Sequence, residues 1–323
     1  MNLSGIRLAD GAAAFSHEFR AGRISVVLGR NRSGKTRLCR LLAGLELLGE
    51  GSMRLDGEAI GQHSPGDRSV ALVYQTFVNY PNLTVAENIA SPLRAKRTPK
   101  PRMRARVADL ADQLGIGELL ERYPEQLSGG QQQRLAIARA LAKSARVLVL
   151  DEPLVNLDFK LRESFEGELR GMLQAEGLVV VYTTSDPRDA FNLGDEVLLL
   201  DNHALVQVGP PLDVYQSPLC SAAADLMSDP GINSFRCDDL LCGVRPEHLE
   251  VRPSRADDVV FSSELLSVET NGSETYVHCL VEAERWVARI DAPLAKLSLP
   301  RVGERLELVA RADAVLTFPE RAA

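Results

Sequence analysis

Long apolar runs are missing from this chain of 323 residues. No stretch approaches the roughly 18 consecutive apolar residues that a membrane-spanning helix needs, so any membrane role has to be peripheral. An excess of positive charge is missing too. Lys and Arg number 37 against 44 Asp and Glu, for a formal charge of −7. That balance argues against a nucleic-acid partner, because such binding usually needs a basic face. The local basic run from Arg94 to Arg106 is broken by Pro99 and Pro101 and reads as a solvated loop leading into a helix. Paired cysteines are absent as well. The five cysteines, at 39, 220, 237, 242 and 279, form no C-x-x-C pair with zinc or redox spacing, so reduced and mostly buried thiols are expected. Five scattered histidines argue against a His-based metal centre. The opening MNLSGIRLADG lacks the basic-then-apolar pattern of a secretion signal, which predicts a cytosolic chain.

What is present is ordinary in bulk and specific in detail. A hydrophobic share of 45% with 25% charged residues suits a globular chain with a real core, and the length suggests two domains. Through the first two thirds, short apolar runs at Ile24–Leu28, Val70–Tyr74, Val147–Leu150, Leu178–Thr183 and Val197–Leu200 read as buried strands. Helical patterns lie between them at Lys35–Ala43, Met103–Leu114, Gln131–Lys143 and Lys160–Glu176. The alternation predicts an α/β domain with a mostly parallel sheet. Thr84-Val-Ala-Glu87 has capping-box spacing and predicts a helix start after the turn at Pro81-Asn82.

The composition changes near Asp229-Pro230-Gly231. Beyond Phe235 the chain reads as short strands at Glu250–Arg252, Val259–Leu266, Thr275–Val281, Trp286–Ile290 and Arg305–Ala310. A small β-barrel of about 90 residues is the natural expectation, since closure protects strand edges.

Gly29-Arg-Asn31-Arg-Ser33-Gly34-Lys35-Thr36 fits G-x-x-x-x-G-K-[ST] directly after an apolar strand and before a helix. Glycines let such a loop curl so that its N–H groups point at phosphate oxygens beside a helix N-terminus. Lys35 is placed to reach the β- and γ-phosphates and Thr36 to hold Mg²⁺, so the loop predicts ATP or GTP binding. Further on, Arg146-Val-Leu-Val-Leu-Asp151-Glu152 ends an apolar strand in two adjacent carboxylates. Asp151 is suited to the Mg²⁺ shell, and Glu152 to polarising the attacking water as a general base.

Leu127-Ser128-Gly129-Gly130-Gln131, continuing Gln-Gln-Arg-Leu-Ala-Ile-Ala-Arg-Ala-Leu, resembles the signature motif of ABC-type ATPases. Serine and glycine N–H groups at a helix start make a second anion site. The resemblance implies that this site meets the γ-phosphate held by an opposite subunit, so that two chains sandwich two nucleotides. Gln75 corresponds to the family's glutamine that senses Mg²⁺ and the attacking water. Asn156-Leu157-Asp158 resembles the loop that crosses the dimer interface. Gly209-Pro-Pro-Leu-Asp-Val-Tyr-Gln-Ser-Pro and Cys242-Gly-Val-Arg-Pro-Glu-His248 are similar to the closing segment and the C-terminal β-domain entry of sugar-importer ATPases. The maltose-type importer group matches best. The segments beginning Val73-Tyr-Gln-Thr-Phe, Leu150-Asp-Glu-Pro-Leu and Val181-Tyr-Thr-Thr-Ser look like its glycerol-uptake branch, in which two different ATPases are thought to pair.

The fold implied is an ABC ATPase domain over residues 1–228, a RecA-like core with a helical subdomain near 84–145. An OB-like domain follows over 235–323. The function implied is an import motor at the cytoplasmic face of the inner membrane. It would work with a second ATPase subunit, two membrane permeases and, indirectly, an external substrate-binding protein. The stretch Phe77–Leu83, apolar and aromatic for a loop, is the expected permease contact.

Four positions depart from the family. Ser185, in Val-Tyr-Thr-Thr-Ser185-Asp186-Pro187, stands where a histidine normally contacts the γ-phosphate; a hydroxyl is shorter and uncharged. Arg30 and Arg32 occupy loop positions where small residues or proline are common. Asp10 stands near the usual place of the aromatic that stacks on adenine, with Phe15 either its replacement or a core residue. Together these suggest an asymmetric pair, in which this chain's own site is slow and its intact 128–131 motif completes a faster one. The alternative is an ordinary homodimer of the sugar or glycerol-3-phosphate importer type, with Thr184, Ser185 and Glu152 sufficient. A regulatory subunit that scarcely hydrolyses ATP is a further reading. A non-transport ABC ATPase acting on DNA or the ribosome is another, disfavoured by the single cassette and the missing coiled coil.

Overall fold

The computed structural model describes residues 1–318 apart from 77, 156–158 and 253. Two compact units divide between residues 212 and 213.

A six-stranded sheet organises the first unit. In spatial order it runs Val70–Val73, Val147–Asp151, Val179–Thr184, Arg23–Leu28, Glu196–Asp201 and Ala204–Gly209. The first five strands are parallel and the last returns antiparallel as an edge. Every residue of Val147–Asp151 and of Val179–Thr184 is buried, the mark of a sheet covered on both faces. The expected strands are all present, shifted by a residue or two at their ends.

A four-stranded antiparallel sheet was not foreseen. It orders Phe15–Glu18, Asn2–Ile6, Ser52–Leu55 and Glu58–Ala59. Its strands are two to five residues long, too short for periodicity to show them. Leu3, Ile6, Phe15 and Met53 from this sheet share one core with Val27, Leu38, Leu42, Val149 and Val181.

The helix Lys35–Ala43 packs against that core through Leu38, Cys39 and Leu42. At its C-terminus Gly44 takes φ 79°, and a Cβ there would stand 2.6 Å from Arg68 Nε. The buried Arg68 donates to Leu41 O at 2.6 Å and to Leu42 O at 3.2 Å, as well as to Gly61 O at 2.6 Å. A cation satisfying the terminal carbonyls suits the negative end of the helix and anchors it.

Three helices, Val85–Ala95, Lys100–Gln113 and Gly129–Ala142, bury Ile89, Leu110 and Ile137. The capping box at Thr84 forms as expected, with Glu87 N donating to Thr84 Oγ1 and Thr84 N donating to Glu87 Oε2. Pro99 and Pro101 open the second helix, where a missing N–H costs nothing.

The second unit folds its strands around one apolar core. Leu249–Glu250, Arg305–Arg311, Asp258–Thr270, Thr275–Val281 and Glu284–Ile290 form a five-stranded antiparallel sheet. Asn233–Cys237, Leu240–Val244 and Leu316–Phe318 form a second sheet of three. Phe235, Phe261 and Trp286 stack within the shared core, with ring centroids 4.7 to 5.8 Å apart. This curled arrangement is OB-like. The five cysteines are free, and Cys39, Cys242 and Cys279 are buried.

Candidate active site

The loop Gly29–Thr36 leaves the strand Arg23–Leu28 and enters the helix Lys35–Ala43. A Cβ on Gly29 would lie 2.4 Å from Ser33 Oγ and 2.5 Å from Leu200 O, so only glycine fits. Gly34 caps the helix at φ 106° without any side-chain hydrogen bond. The first N–H groups are therefore left for an outside anion, in the positive field of the helix end. Arg32 takes φ 67°, a left-handed conformation that glycine adopts freely and an arginine does not.

Of the expected residues, Asn31, Gly34, Lys35, Thr36, Gln75 and Glu152 line a cleft of about 470 Å³. The buried Lys35 ammonium donates to Gly29 O at 2.6 Å and Arg30 O at 3.0 Å, and sits 3.0 Å from Glu152 Oε1. Thr183 Oγ1 donates to Asp151 Oδ1 at 2.8 Å, and Thr36 Oγ1 lies 3.4 Å from the same oxygen. Glu152 has φ 46°; its N–H donates to the hydroxyl and the carbonyl of Thr183, each at 3.1 Å. Backbone strain at a site carboxylate is held here by the neighbouring buried strand. Cys39 lies beneath, and burial followed by the charge of Asp151 pushes its thiol well up.

Ser185 is exposed at the end of the strand Val179–Thr184. The loop behind it is tied down. Thr184 Oγ1 donates to Asp189 Oδ2 at 2.6 Å and accepts from Asp186 N at 3.0 Å; the Tyr182 hydroxyl donates to Asp189 at 3.1 Å. Arg162 pairs with Asp186 at 3.0 Å, with Glu166 at 3.0 Å and with Asp189. The small hollow beside Ser185 also touches Glu152.

Ser128–Gln131 does not join the walls of this cleft. Ser128 caps the helix Gly129–Ala142: Gln131 N donates to Ser128 Oγ at 3.4 Å, and Ser128 N donates to Gln131 Oε1 at 3.0 Å. A Cβ on Gly129 would meet nothing within 4 Å. Packing inside this chain therefore does not require glycine there. The Asn156-Leu157-Asp158 loop lies outside the described residues, and so does Phe77. Phe15 is buried in the core, which removes it as a face for adenine. Asp10 lines a separate hollow with Arg7 and Glu50. Two cleft residues escaped notice in the sequence: Arg37, in the helix Lys35–Ala43, and His203, in the turn between Glu196–Asp201 and Ala204–Gly209.

Among known proteins, the ABC transporter family matches residues 13–155 and the TOBE domain family residues 242–318. The sn-glycerol-3-phosphate import ATP-binding protein UgpC 1 of Rhizobium etli is 34% identical over 92% of this chain and 88% of its own. The chain belongs to the ATP-binding subunits of ABC importers. Its relatives include the sn-glycerol-3-phosphate import ATP-binding protein of Chromobacterium violaceum, 33% identical over 94% of this chain and 88% of that one. A xylose/arabinose import ATP-binding protein of Haloferax volcanii is 36% identical over 80% of this chain and 74% of its own. The structure of cbiO1 from Clostridium perfringens shares the fold, with a TM-score of 0.60 at 22% identity, covering 66% of this chain and 89% of that one. As an ABC importer subunit the chain binds ATP and is an ATPase coupled to transport. Among the described residues no helix is long and apolar enough to cross a membrane.

Proposed function

We propose that this ABC subunit is the motor of an importer for a small polyol or sugar. It works at the cytoplasmic face of the inner membrane beside two permeases that receive cargo from an external binding protein. Closure around ATP pulls on the permeases, and hydrolysis resets them. Glycerol is the favoured cargo on the segments around Gln75, Glu152 and Ser185; the polyol phosphate and pentoses named for relatives mark the same chemical range.

ATP lies along Asn31–Thr36, with Lys35 on its terminal phosphates. Phosphate bound there draws the ammonium away from Glu152, and the released carboxylate polarises the attacking water. Thr36 Oγ1 lies beside Asp151 Oδ1, and Gln75 lines the same cleft as Thr36; these three are the oxygen-bearing side chains that would hold a cation. Hard oxygen ligands of this kind suit Mg²⁺, which takes the rest of its shell from phosphate and water. The ion would neutralise charge on the transferred phosphoryl group.

The observation that carries the reading is the separation of the two anion-binding helix starts. Lys35 lies in the cleft and Ser128–Gln131 does not line it, which supports a second chain bringing its own 128–131 motif across. The second chain is an unlike ATPase, because Ser185 cannot hold phosphate and water as an imidazole does. This chain's own site is then the slower of the two. A homodimer is the competing reading, favoured by the intact Lys35, Asp151 and Glu152. Permease docking falls to the segment around Tyr80. Asn88 clamps this loop from the helix Val85–Ala95, accepting from Tyr80 N at 2.8 Å and donating to Tyr80 O and Leu83 O. Val78 and Tyr80 remain about half exposed, at 47% and 48%.

The test is ATP turnover by the purified chain and by Ser185→His. Tight binding with slow turnover that Ser185→His improves supports an unlike partner. Brisk turnover in the unmodified chain rejects it in favour of a homodimer.

A further inference from the structure

An adenine needs a flat partner, and the sequence offered two places for one. Asp10 is not aromatic, and Phe15 lies in the core at 8% exposure. Among the described residues, the aromatic ring that lines the cleft is the imidazole of His203.

His203 is held there by its backbone. Asn202 and His203 form a two-residue hairpin with φ 46° and 65°, both left-handed, as the tightest turns between antiparallel strands require. Its N–H donates to Ser33 O at 3.0 Å, tying the hairpin to the phosphate loop. The ring stands at the loop's end. Its Cδ2 lies 3.2 Å from where a Cβ on Gly34 would be, and Leu8 Cδ1 lies 3.2 Å from the same point. Arg37, one turn into the cleft wall, donates to Leu8 O at 2.6 Å.

These contacts give the cleft two ends. Glu152 and Asp151 sit against Lys35 and Thr36, so the terminal phosphates belong on that side. Arg37 and His203, which take no part in that cluster, line the same cleft and are left for the nucleoside. Histidine, like asparagine, is among the non-glycine residues that tolerate a left-handed position, so the turn accepts His203 without strain of its own.

We infer that His203 is the nucleoside-contacting residue of this site, its ring packing against the base or ribose of bound ATP. The inference rests on the cleft being the ATP site. It gives a supporting role to a hairpin that otherwise only closes the sheet edge.

The experiment compares equilibrium affinity for ATP and for inorganic tripolyphosphate in the full chain, His203→Asn and His203→Ala. Asparagine keeps the left-handed turn, so folding is preserved, and the melting temperature without ligand checks it. ATP affinity is expected to fall about tenfold in both variants, as loss of one stacked ring would give, while tripolyphosphate affinity stays unchanged. ATP affinity unchanged in His203→Asn overturns the inference. Equal weakening for both ligands also overturns it, because the effect would then come through the phosphate loop. Failure of the unmodified chain to bind ATP would overturn the ATP-site reading itself and this inference with it.

Discussion

Lys35 Nζ lies 3.0 Å from Glu152 Oε1 while also donating to two carbonyls of its own loop. One ammonium thus links the residue that grips phosphate to the residue that activates water. Each group is nearly enclosed, at 4% and 13% side-chain exposure, so their attraction is poorly screened. The pairing couples binding to chemistry: whatever engages Lys35 alters the charge around Glu152.

Removing that carboxylate's charge should separate the two steps. Glu152→Gln keeps the side-chain shape and leaves Lys35 its loop carbonyls. ATP affinity should be retained or improved, and turnover should fall by about 10²-fold or more, as loss of a general base gives. Parallel binding and phosphate-release assays check this.

Gly129→Asp should leave the isolated chain folded. A side chain at 129 meets open space within this protein, so its melting temperature should shift by no more than a surface substitution does, about 0.5 kcal/mol in stability. Turnover of the assembled pair should fall by about 10²-fold, because the carboxylate would face the partner's phosphate at the helix start. Calorimetry and turnover on the same preparation test both halves.

Arg32→Gly should stabilise the chain. An arginine at φ 67° bears a left-handed penalty of about 1 kcal/mol that glycine avoids. A rise of about 2–4 °C in melting temperature is expected for a chain of this size, read by calorimetry without nucleotide.

Acid should weaken the sheet through Glu196. Burial pushes its carboxyl up, but hydrogen bonds from His17 at 3.2 Å and from Ser25 outweigh this, and the net pKa lies below the usual glutamate value. A carboxylate with a depressed folded-state pKa stabilises the fold above its unfolded pKa, and that contribution is lost as pH falls through the folded value. Glu196→Gln should therefore lower the melting temperature near pH 7 and change it little near pH 3. Thermal melts across that range decide it.

The chemistry was largely legible in the sequence because it is written in short strings. Gly29 to Thr36 and Asp151-Glu152 each follow an apolar strand, and Ser128 to Gln131 opens a helix; local order carried them. Topology was harder. The sheet built on Asn2–Ile6 and Ser52–Leu55 brings together strands some fifty positions apart, each too short for its alternation to stand out. His203 was missed for the same reason. Asn202-His203 reads only as a turn, and nothing nearby in the chain says that the turn comes to rest against Gly34. The Lys35–Glu152 pair likewise needed the parallel order of Arg23–Leu28, Val179–Thr184 and Val147–Asp151 before its two ends could meet. The abnormal Ser185 was visible at once, because a family pattern was there to depart from.

The most direct test of the account is the equilibrium affinity of the purified chain for ATP with Mg²⁺, beside Lys35→Ala and Glu152→Gln. The account predicts tight binding by the unmodified chain and by Glu152→Gln, and loss of about tenfold or more in Lys35→Ala, whose cleft would lack its buried cation. Equal ATP affinity in all three would contradict it, since the nucleotide would then be held somewhere other than this cleft.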